Sequence, residues 1–361
     1  MSNQVPVAVA WQGLPSYAAR LLRRVVEERD LSILGTSGPQ TQAEILRILG
    51  REVIWLAGCG KVSWQSLGLP VPQWFFVSGW WNPQFNLLAR EAREAGARII
   101  VMADTSRKHN LRQAVASIIF RMRWEALFDY AFVPGAAAAD LMGFYGVPEH
   151  RIRTGLYGAD PQVFSAGPPL SARERDFLFV GQFIARKGLR ELMESVADLR
   201  RAGARFTVAA LGAGQLEGAL RTAAITVLPF GDASHVAQEM RKSRFLVLPS
   251  LEDHWGVVVH EAACSGCGLI LSDGVGAARD LLTVDNGFLC RRGDSKSLSH
   301  AMTAALQMPA GQLARCESAS LHIASCFGPD PFAAAVGDIL SRGGSGAPAQ
   351  ASMARHVRCA P

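Results

Sequence analysis

Short β-branched or aromatic runs alternate with stretches of roughly 3.6-residue apolar spacing along almost the whole chain, and no other feature limits its possible folds as strongly. The runs predict strands at Pro6–Ala10, Leu31–Leu34, Val53–Leu56, Trp74–Val77, Arg98–Met102, Tyr130–Val133, Asp176–Val180, Arg205–Ala210, Ile225–Leu228, Phe245–Leu248 and Leu269–Leu271. The spacing between them predicts helices that include Ser16–Glu28, Pro83–Ala95, Lys187–Arg201 and Val257–Ser265. This rhythm is that of parallel sheets wrapped by helices, an α/β architecture.

The rhythm breaks once, where Leu156-Tyr-Gly-Ala-Asp-Pro161 runs into the Ala/Gly/Pro/Ser stretch Ser165–Ala172 and restarts at Asp176. A length of 361 residues also suits two domains. We therefore expect a first domain over 1–165, a second over 172–328, a C-terminal helix over 329–341 free to pack back on the first domain, and a flexible Gly/Ser-rich tail over 342–361. Two such sheets with their ligand-binding strand ends facing each other would form a cleft, a favoured ligand site.

Composition narrows the class further. Hydrophobic residues make up 49% and charged residues 19%, which excludes disorder for the bulk of the chain. Apolar runs such as Val5–Trp11 and Phe245–Pro249 fall far short of the ~20 residues of a membrane-spanning helix. The N-terminus shows no basic region leading into an apolar stretch, so a cytoplasmic location is expected. Seven cysteines, an odd number thinly spread, do not resemble a disulfide framework. The net charge of +6 permits anionic partners without selecting one, and nucleic acid has nothing else to support it.

The richest segment is Pro249-Ser-Leu-Glu-Asp-His-Trp-Gly-Val-Val-Val-His-Glu-Ala-Ala-Cys-Ser-Gly-Cys-Gly-Leu-Ile-Leu-Ser-Asp273. A buried strand leads into an acidic loop, Gly256 turns the backbone and a helix begins. Free N–H groups and the positive dipole end at Trp255-Gly256 suit a phosphate. The carboxylates of Asp253 and Glu261 can accept hydrogen bonds from sugar hydroxyls. A second segment, Asp176-Phe-Leu-Phe-Val-Gly-Gln-Phe-Ile-Ala-Arg-Lys-Gly-Leu189, carries Gly181, then Arg186 and Lys187 before a helix, where cations could meet a diphosphate.

Together these segments resemble glycosyltransferase family 4, retaining nucleotide-sugar transferases with the GT-B fold of two Rossmann-like domains facing across a cleft. The matching residues are Pro249-Ser250, Asp253, Trp255-Gly256, Glu261-Ala262, Gly266 and Ser272-Asp273. Leu211-Gly-Ala-Gly-Gln215, with Gly214, is similar to the family's Gly-rich turn, and Leu228-Pro-Phe-Gly-Asp232 lies where the family lines its nucleobase pocket. Tyr157-Gly-Ala-Asp160 with Phe164 resembles its domain junction. The resemblance covers about residues 130–305. It implies that Glu261 holds ribose hydroxyls, that Asp253, standing where the family has Glu, touches the transferred sugar, and that Lys187 binds the donor diphosphate. Gln182 stands where the family has a phosphate-binding Arg, which shifts charge onto Lys187 and Arg186. The resemblance also implies front-face attack, with the leaving phosphate helping to deprotonate the acceptor and no protein nucleophile. No Asp-x-Asp site suited to a diphosphate is evident, so neither metal nor cofactor is expected; the nucleotide sugar is a substrate.

The N-terminal half is less distinctive. Gly13, in Trp11-Gln-Gly-Leu-Pro-Ser16, either makes a tight turn or allows phosphate to approach. Asp104, at the end of its strand where many family members carry a catalytic His, either caps the next helix or orients the acceptor hydroxyl. The segment Ser106–Glu125 holds Arg107, Lys108, Arg112, Arg121 and Arg123 among apolar Leu111, Val115, Ile118, Ile119, Phe120 and Met122. That mixture suits either a helix on an anionic membrane surface, reached through Arg107–Arg123, or an ordinary helix with a basic face in water. Cys264-Ser-Gly-Cys267 has no second pair to complete a metal site. His254 could reach the donor, and His260 could face solvent or packing. The expected activity is sugar transfer from a nucleotide sugar to a glycan or glycolipid acceptor, as in bacterial polysaccharide or glycolipid synthesis. An epimerase or phosphorylase of the same fold and a non-catalytic nucleotide-sugar-binding protein are the alternatives.

Overall fold

In the computed structural model, which describes residues 6–36, 39–56, 60–108 and 110–341, the chain divides into two units. The first runs to Gly158 and resumes at Gly328; the second is Ala159–Phe327.

The first unit contains β1 (Val7–Gln12), α1 (Ser16–Val26), β2 (Leu31–Thr36), α2 (Pro39–Leu49), β3 (Ile54–Trp55), β4 (Trp74–Ser78), α3 (Pro83–Glu94), β5 (Arg98–Met102), α4 (Leu111–Arg123), β6 (Tyr130–Val133), α5 (Ala136–Phe144) and β7 (Ile152–Thr154). Its sheet is parallel, in the order β3-β2-β1-β4-β5-β6-β7. Successive strand residues point to opposite faces, so β1 sends Val7, Val9 and Trp11 into one core and Ala8 and Ala10 into the other.

The second unit contains β8 (Arg175–Val180), α6 (Leu189–Arg201), β9 (Val208–Leu211), α7 (Glu217–Thr222), β10 (Thr226–Leu228), α8 (Ala233–Arg241), β11 (Ser243–Leu248), α9 (Val257–Cys264), β12 (Gly268–Ser272), α10 (Ala278–Leu281), β13 (Gly287–Cys290), α11 (Ser295–Leu306) and α12 (Ala310–Ala324). Its sheet is also parallel, in the order β10-β9-β8-β11-β12-β13. Strands this apolar are read as buried on both faces, and Phe177, Phe179, Phe245 and Leu248 are.

The boundary falls at Gly158, earlier than the composition break at Ser165–Ala172 suggests. Ala159 N–H already donates to His260 Nδ1, and Leu170 N–H donates to Glu317, so the intervening segment is tied into the second unit. The helix α13 (Pro329–Ser341) belongs to the first unit. Its Phe332, Ala333, Val336 and Ile339 share a core with Ala18, Leu22 and Val25, and Arg24 pairs with Asp330 at 2.6 Å. The tail expected over 342–361 lies outside the described residues.

Two edge strands went unread in the sequence. β7 is only Ile-Arg-Thr, too short to show alternation, and β13 opens on a glycine that reads as a turn. β9 starts at Val208 rather than Arg205, because Asp176 and Thr207 exchange side-chain bonds to backbone N–H groups where a ladder would otherwise run.

Candidate functional site

In a doubly wound sheet, ligands bind beyond the carboxyl ends of the strands where the order reverses. In the second unit that point lies between β8 and β11, and the segments that follow these two strands are the ones singled out in the sequence. After β8 comes a short 3-10 turn, Ala185–Lys187, and then Gly188, which starts α6 from a left-handed φ of +71°. A Cβ at Gly188 would lie 1.9 Å from the Pro249 carbonyl oxygen, so only glycine lets this turn close on the end of β11. Leu251 N–H donates to the Arg186 carbonyl and the Arg186 guanidinium donates to the Glu252 carbonyl, fastening the two loops together.

This closure brings two predicted residues into contact. Lys187 Nζ lies 2.5 Å from Asp253 Oδ2, with both side chains mostly shielded from solvent. Asp253 is fixed from its other side: its N–H donates to the Gly274 carbonyl, and its own carbonyl accepts from Gly276 N–H. An ammonium can keep one carboxylate partner and still offer two donors to an anion.

The helix begins at Val257, as expected, with Gly256 at its cap position and no side chain capping it. Val259 N–H already donates to the Gly256 carbonyl, so the N–H groups of Val257 and Val258 are the ones the first turn offers to an anion. Trp255 itself is 2% exposed, packed on His260 and Phe327, with Nε1 donating to Asp280. Its indole is thus a wedge under the loop, and the ligand-facing part of Trp255-Gly256 is backbone. His260 is fully buried, holding Ala159 N–H at Nδ1 and meeting the Ala324 carbonyl at Nε2. Burial pushes its imidazole down to about 4, so it is a neutral packing residue. His254 lies 3.8 Å from Glu252.

Glu261 sits on the second turn of α9. Protein packed around its carboxyl pushes it up from 4.5 to about 7, and no hydrogen-bond or ion-pair partner of that carboxyl occurs among the described residues. Such a group gains from any pair of hydroxyl donors brought to it.

The glycine turns behave similarly. Gly212, after β9, has φ +153°, and a Cβ there would fall 2.0 Å from the Gly181 carbonyl oxygen, while one at Gly214 would meet Phe183 O at 2.7 Å. The loops after β8 and β9 therefore touch backbone to backbone. Gln182 is exposed beside them. Ser250, fully buried at the end of β11, has a hydroxyl with no partner among the described residues, an orphan that its place in the motif did not signal.

Cys264 and Cys267 do not act as a pair. Cys264 Sγ lies 3.5 Å from His260 Nε2, whereas Cys267 Sγ meets Arg173 and the Met240 carbonyl. Burial pushes their thiols up to about 12 and about 11, which leaves them protonated and unreactive at neutral pH. Among the described residues no group of three or more His, Cys, Asp or Glu could hold a metal ion.

In the first unit the order reverses between β1 and β4, and Gln12 N–H donates to Ser78 Oγ across that point at 2.7 Å. A Cβ at Gly13 would meet no atom of the described residues within 4 Å. Leu14, fully buried, follows at φ +24°, backbone strain of roughly 1–3 kcal/mol held in place by its packing.

Asp104 does not cap the next helix. That role belongs to Asn110, whose side chain accepts from Gln113 N–H. The Asp104 carboxylate instead accepts from Tyr157 Oη at 3.0 Å, and Tyr157 in turn hydrogen-bonds Tyr17. Burial raises both phenols, Tyr17 to about 12, so they remain protonated donors. Tyr157 appeared in the sequence only as part of a junction motif; nothing there linked it to Asp104.

Comparison with known proteins follows the same division. Residues 174–308 match the family model described as Glycosyl transferases group 1. No curated protein matches the sequence. Among solved structures, HepE (Alr3699) of Anabaena, in complex with UDP and glucose, superposes with a TM-score of 0.72 at 15% identity, covering 94% of this chain and 100% of its own. The lipopolysaccharide outer core galactosyltransferase WaaB gives 0.70 at 15%, covering 93% and 100%. Sucrose-phosphate synthase of Thermosynechococcus elongatus gives 0.66 at 12%, covering 94% and 99%. Likeness at these identities establishes the architecture: the chain has the fold of the GT-B glycosyltransferases, and its second unit carries the segment that matches the group 1 family model.

Proposed function

We propose that the protein is a metal-independent retaining glycosyltransferase of family 4 that moves a sugar from a nucleotide-sugar donor to a glycan or glycolipid acceptor. The reading extends to a cytoplasmic enzyme of bacterial polysaccharide or glycolipid synthesis. One observation carries it: Lys187, Asp253, an uncapped helix N-terminus and the carboxyl of Glu261, unpaired among the described residues, all follow the two strands that flank the reversal of the second sheet. The group 1 match over that unit and the UDP held by HepE support the same ligand class.

In this reading the bond from the anomeric carbon to the diphosphate oxygen breaks and the acceptor oxygen bonds on the same face. The acceptor proton leaves with the diphosphate. Negative charge grows on the departing group, where Lys187, Arg186 and the N–H groups at Gly256 stabilise it electrostatically. Trp255 supports them through its backbone and its buried ring. Asp253 orients Lys187 and reaches the transferred sugar, while Glu261 takes the ribose hydroxyls. Gly181 and Gly214 let donor and backbone approach closely, and Gly13 does so in the first unit. Asp104, held by Tyr157, orients the acceptor hydroxyl. With cations and dipoles of the chain itself to neutralise the diphosphate, the reaction draws on no cofactor.

A thermal-shift screen against UDP-, GDP- and ADP-sugars tests the donor half. A binder present at a hundredfold excess over its Kd stabilises the folded state by about 2.7 kcal/mol. One donor class should raise the melting temperature of wild type and not of Glu261→Ala; no shift with any of them contradicts the reading.

A further inference from the structure

The helix α4 is inside out. Its apolar Leu111, Val115, Ile118, Ile119 and Met122 are exposed, Leu111 at 81% and Met122 at 80%, while Gln113 and Ser117 are buried on the opposite side with Phe120. At 100° per residue the five apolar positions fall within an arc of about 100°, a continuous strip. The buried polar side is a latch: Gln113 accepts from Lys108 N–H and donates to the Ser106 carbonyl. Cations border the strip. Arg112 and Arg123, both exposed, project from one margin and Arg121 from the other, where it is anchored to the carbonyls of Phe144 and Tyr145.

Monomeric proteins rarely leave so much contiguous apolar surface in water. A second copy of the chain would have to set one row of arginines against another, which disfavours self-association through this face. A bilayer with anionic headgroups satisfies both parts at once: acyl chains take the strip and phosphates take the arginines. No helix among the described residues is long and apolar enough to cross a membrane, and α4, about 20 Å long, lies flat in such an arrangement.

We propose that α4 forms a membrane-insertion face that docks the first unit on an anionic lipid surface by burying Leu111, Val115, Ile118, Ile119 and Met122. The claim stands apart from the donor chemistry, since none of these residues belongs to the second unit.

The full chain is pelleted with vesicles of phosphatidylglycerol and phosphatidylcholine in equal parts, and with phosphatidylcholine alone. Wild type should bind the anionic vesicles preferentially. Ile118→Glu/Met122→Glu and, separately, Arg112→Glu/Arg123→Glu should each weaken binding about tenfold or more, with the urea midpoint unchanged because all four side chains are exposed. Should the first pair lower the midpoint, Ile118→Ser/Met122→Ser replaces it with the same expected loss. Failure of wild type to pellet, or pelleting that survives both apolar variants, overturns the proposal. A dimer in sedimentation velocity that these variants dissolve also overturns it, by making a second copy the occupant.

Discussion

Glu261→Gln separates what the folded chain pays from what it gains at the candidate site. Glu261 is a carboxyl without a partner among the described residues, raised from 4.5 to about 7 by the protein around it. The native state therefore holds its proton more tightly than the unfolded chain between those two values. Stability must fall as pH rises through that window and then level off above 7. At roughly 1.36 kcal/mol per pH unit the full loss is about 3 kcal/mol, an upper bound because the residue keeps some solvent contact. His260 works in the opposite sense. Buried neutral, with its imidazole pushed from 6.5 down to about 4, it adds stability as pH climbs between those values. In wild type the two effects nearly cancel below pH 6.5; in Glu261→Gln only the gain from His260 remains. The assay is urea unfolding by circular dichroism at pH 5 and pH 8. The variant should match wild type at pH 5 and exceed it by up to about 3 kcal/mol at pH 8. A difference that does not change with pH, or a variant weaker at pH 8, would refute the assignment of a strained, unpaired carboxyl.

The same residue predicts that donor binding below pH 7 releases a proton, because hydroxyl donors favour the carboxylate; calorimetry in buffers of different ionisation enthalpy reads it directly. Lys187→Ala should reduce transfer by about a hundredfold or more with the fold intact by circular dichroism, since it removes a charge aimed at the leaving diphosphate. Asp253→Asn should lower activity less than Lys187→Ala, because it frees Lys187 while keeping a hydrogen-bonding group beside it. Gly188→Ala should cost at least about 2 kcal/mol in urea unfolding, as its Cβ would strike the Pro249 carbonyl from a left-handed backbone. Asn110→Ala should destabilise the first unit by about 1 kcal/mol through loss of the α4 cap, whereas Asp104→Asn should not.

The doubly wound sheets were legible because buried parallel strands are written as uninterrupted apolar runs, as in Phe245–Leu248. The pairing of Lys187 with Asp253 was legible only as two separate motifs. Their contact depends on Gly188 approaching Pro249, a backbone event that no spacing rule encodes. Trp255 drew attention as part of an aromatic-Gly turn, and its sequence context did not distinguish a buried wedge from a ligand-facing ring. Asp104 showed the opposite problem: a carboxylate before a helix looked equally like a cap, until Asn110 took the cap and Tyr157, distant in the chain, took the carboxylate. The strip on α4 was visible as mixed basic and apolar residues. Which side faced water was not, because Gln113 is held down by bonds to a loop, and Ser117 is buried on the same side, against the order that hydropathy gives.

Acceptor-dependent release of a nucleoside diphosphate tests the account most directly. Purified protein is given the donor selected by thermal shift, with and without extracted glycan or glycolipid acceptors, and the product's anomeric configuration is read by NMR. The account predicts release that requires an acceptor, is lost in Lys187→Ala, and yields a glycoside with the donor's own anomeric configuration. Turnover of the sugar without an acceptor, an inverted product, or tight donor binding with no transfer to any acceptor would contradict it.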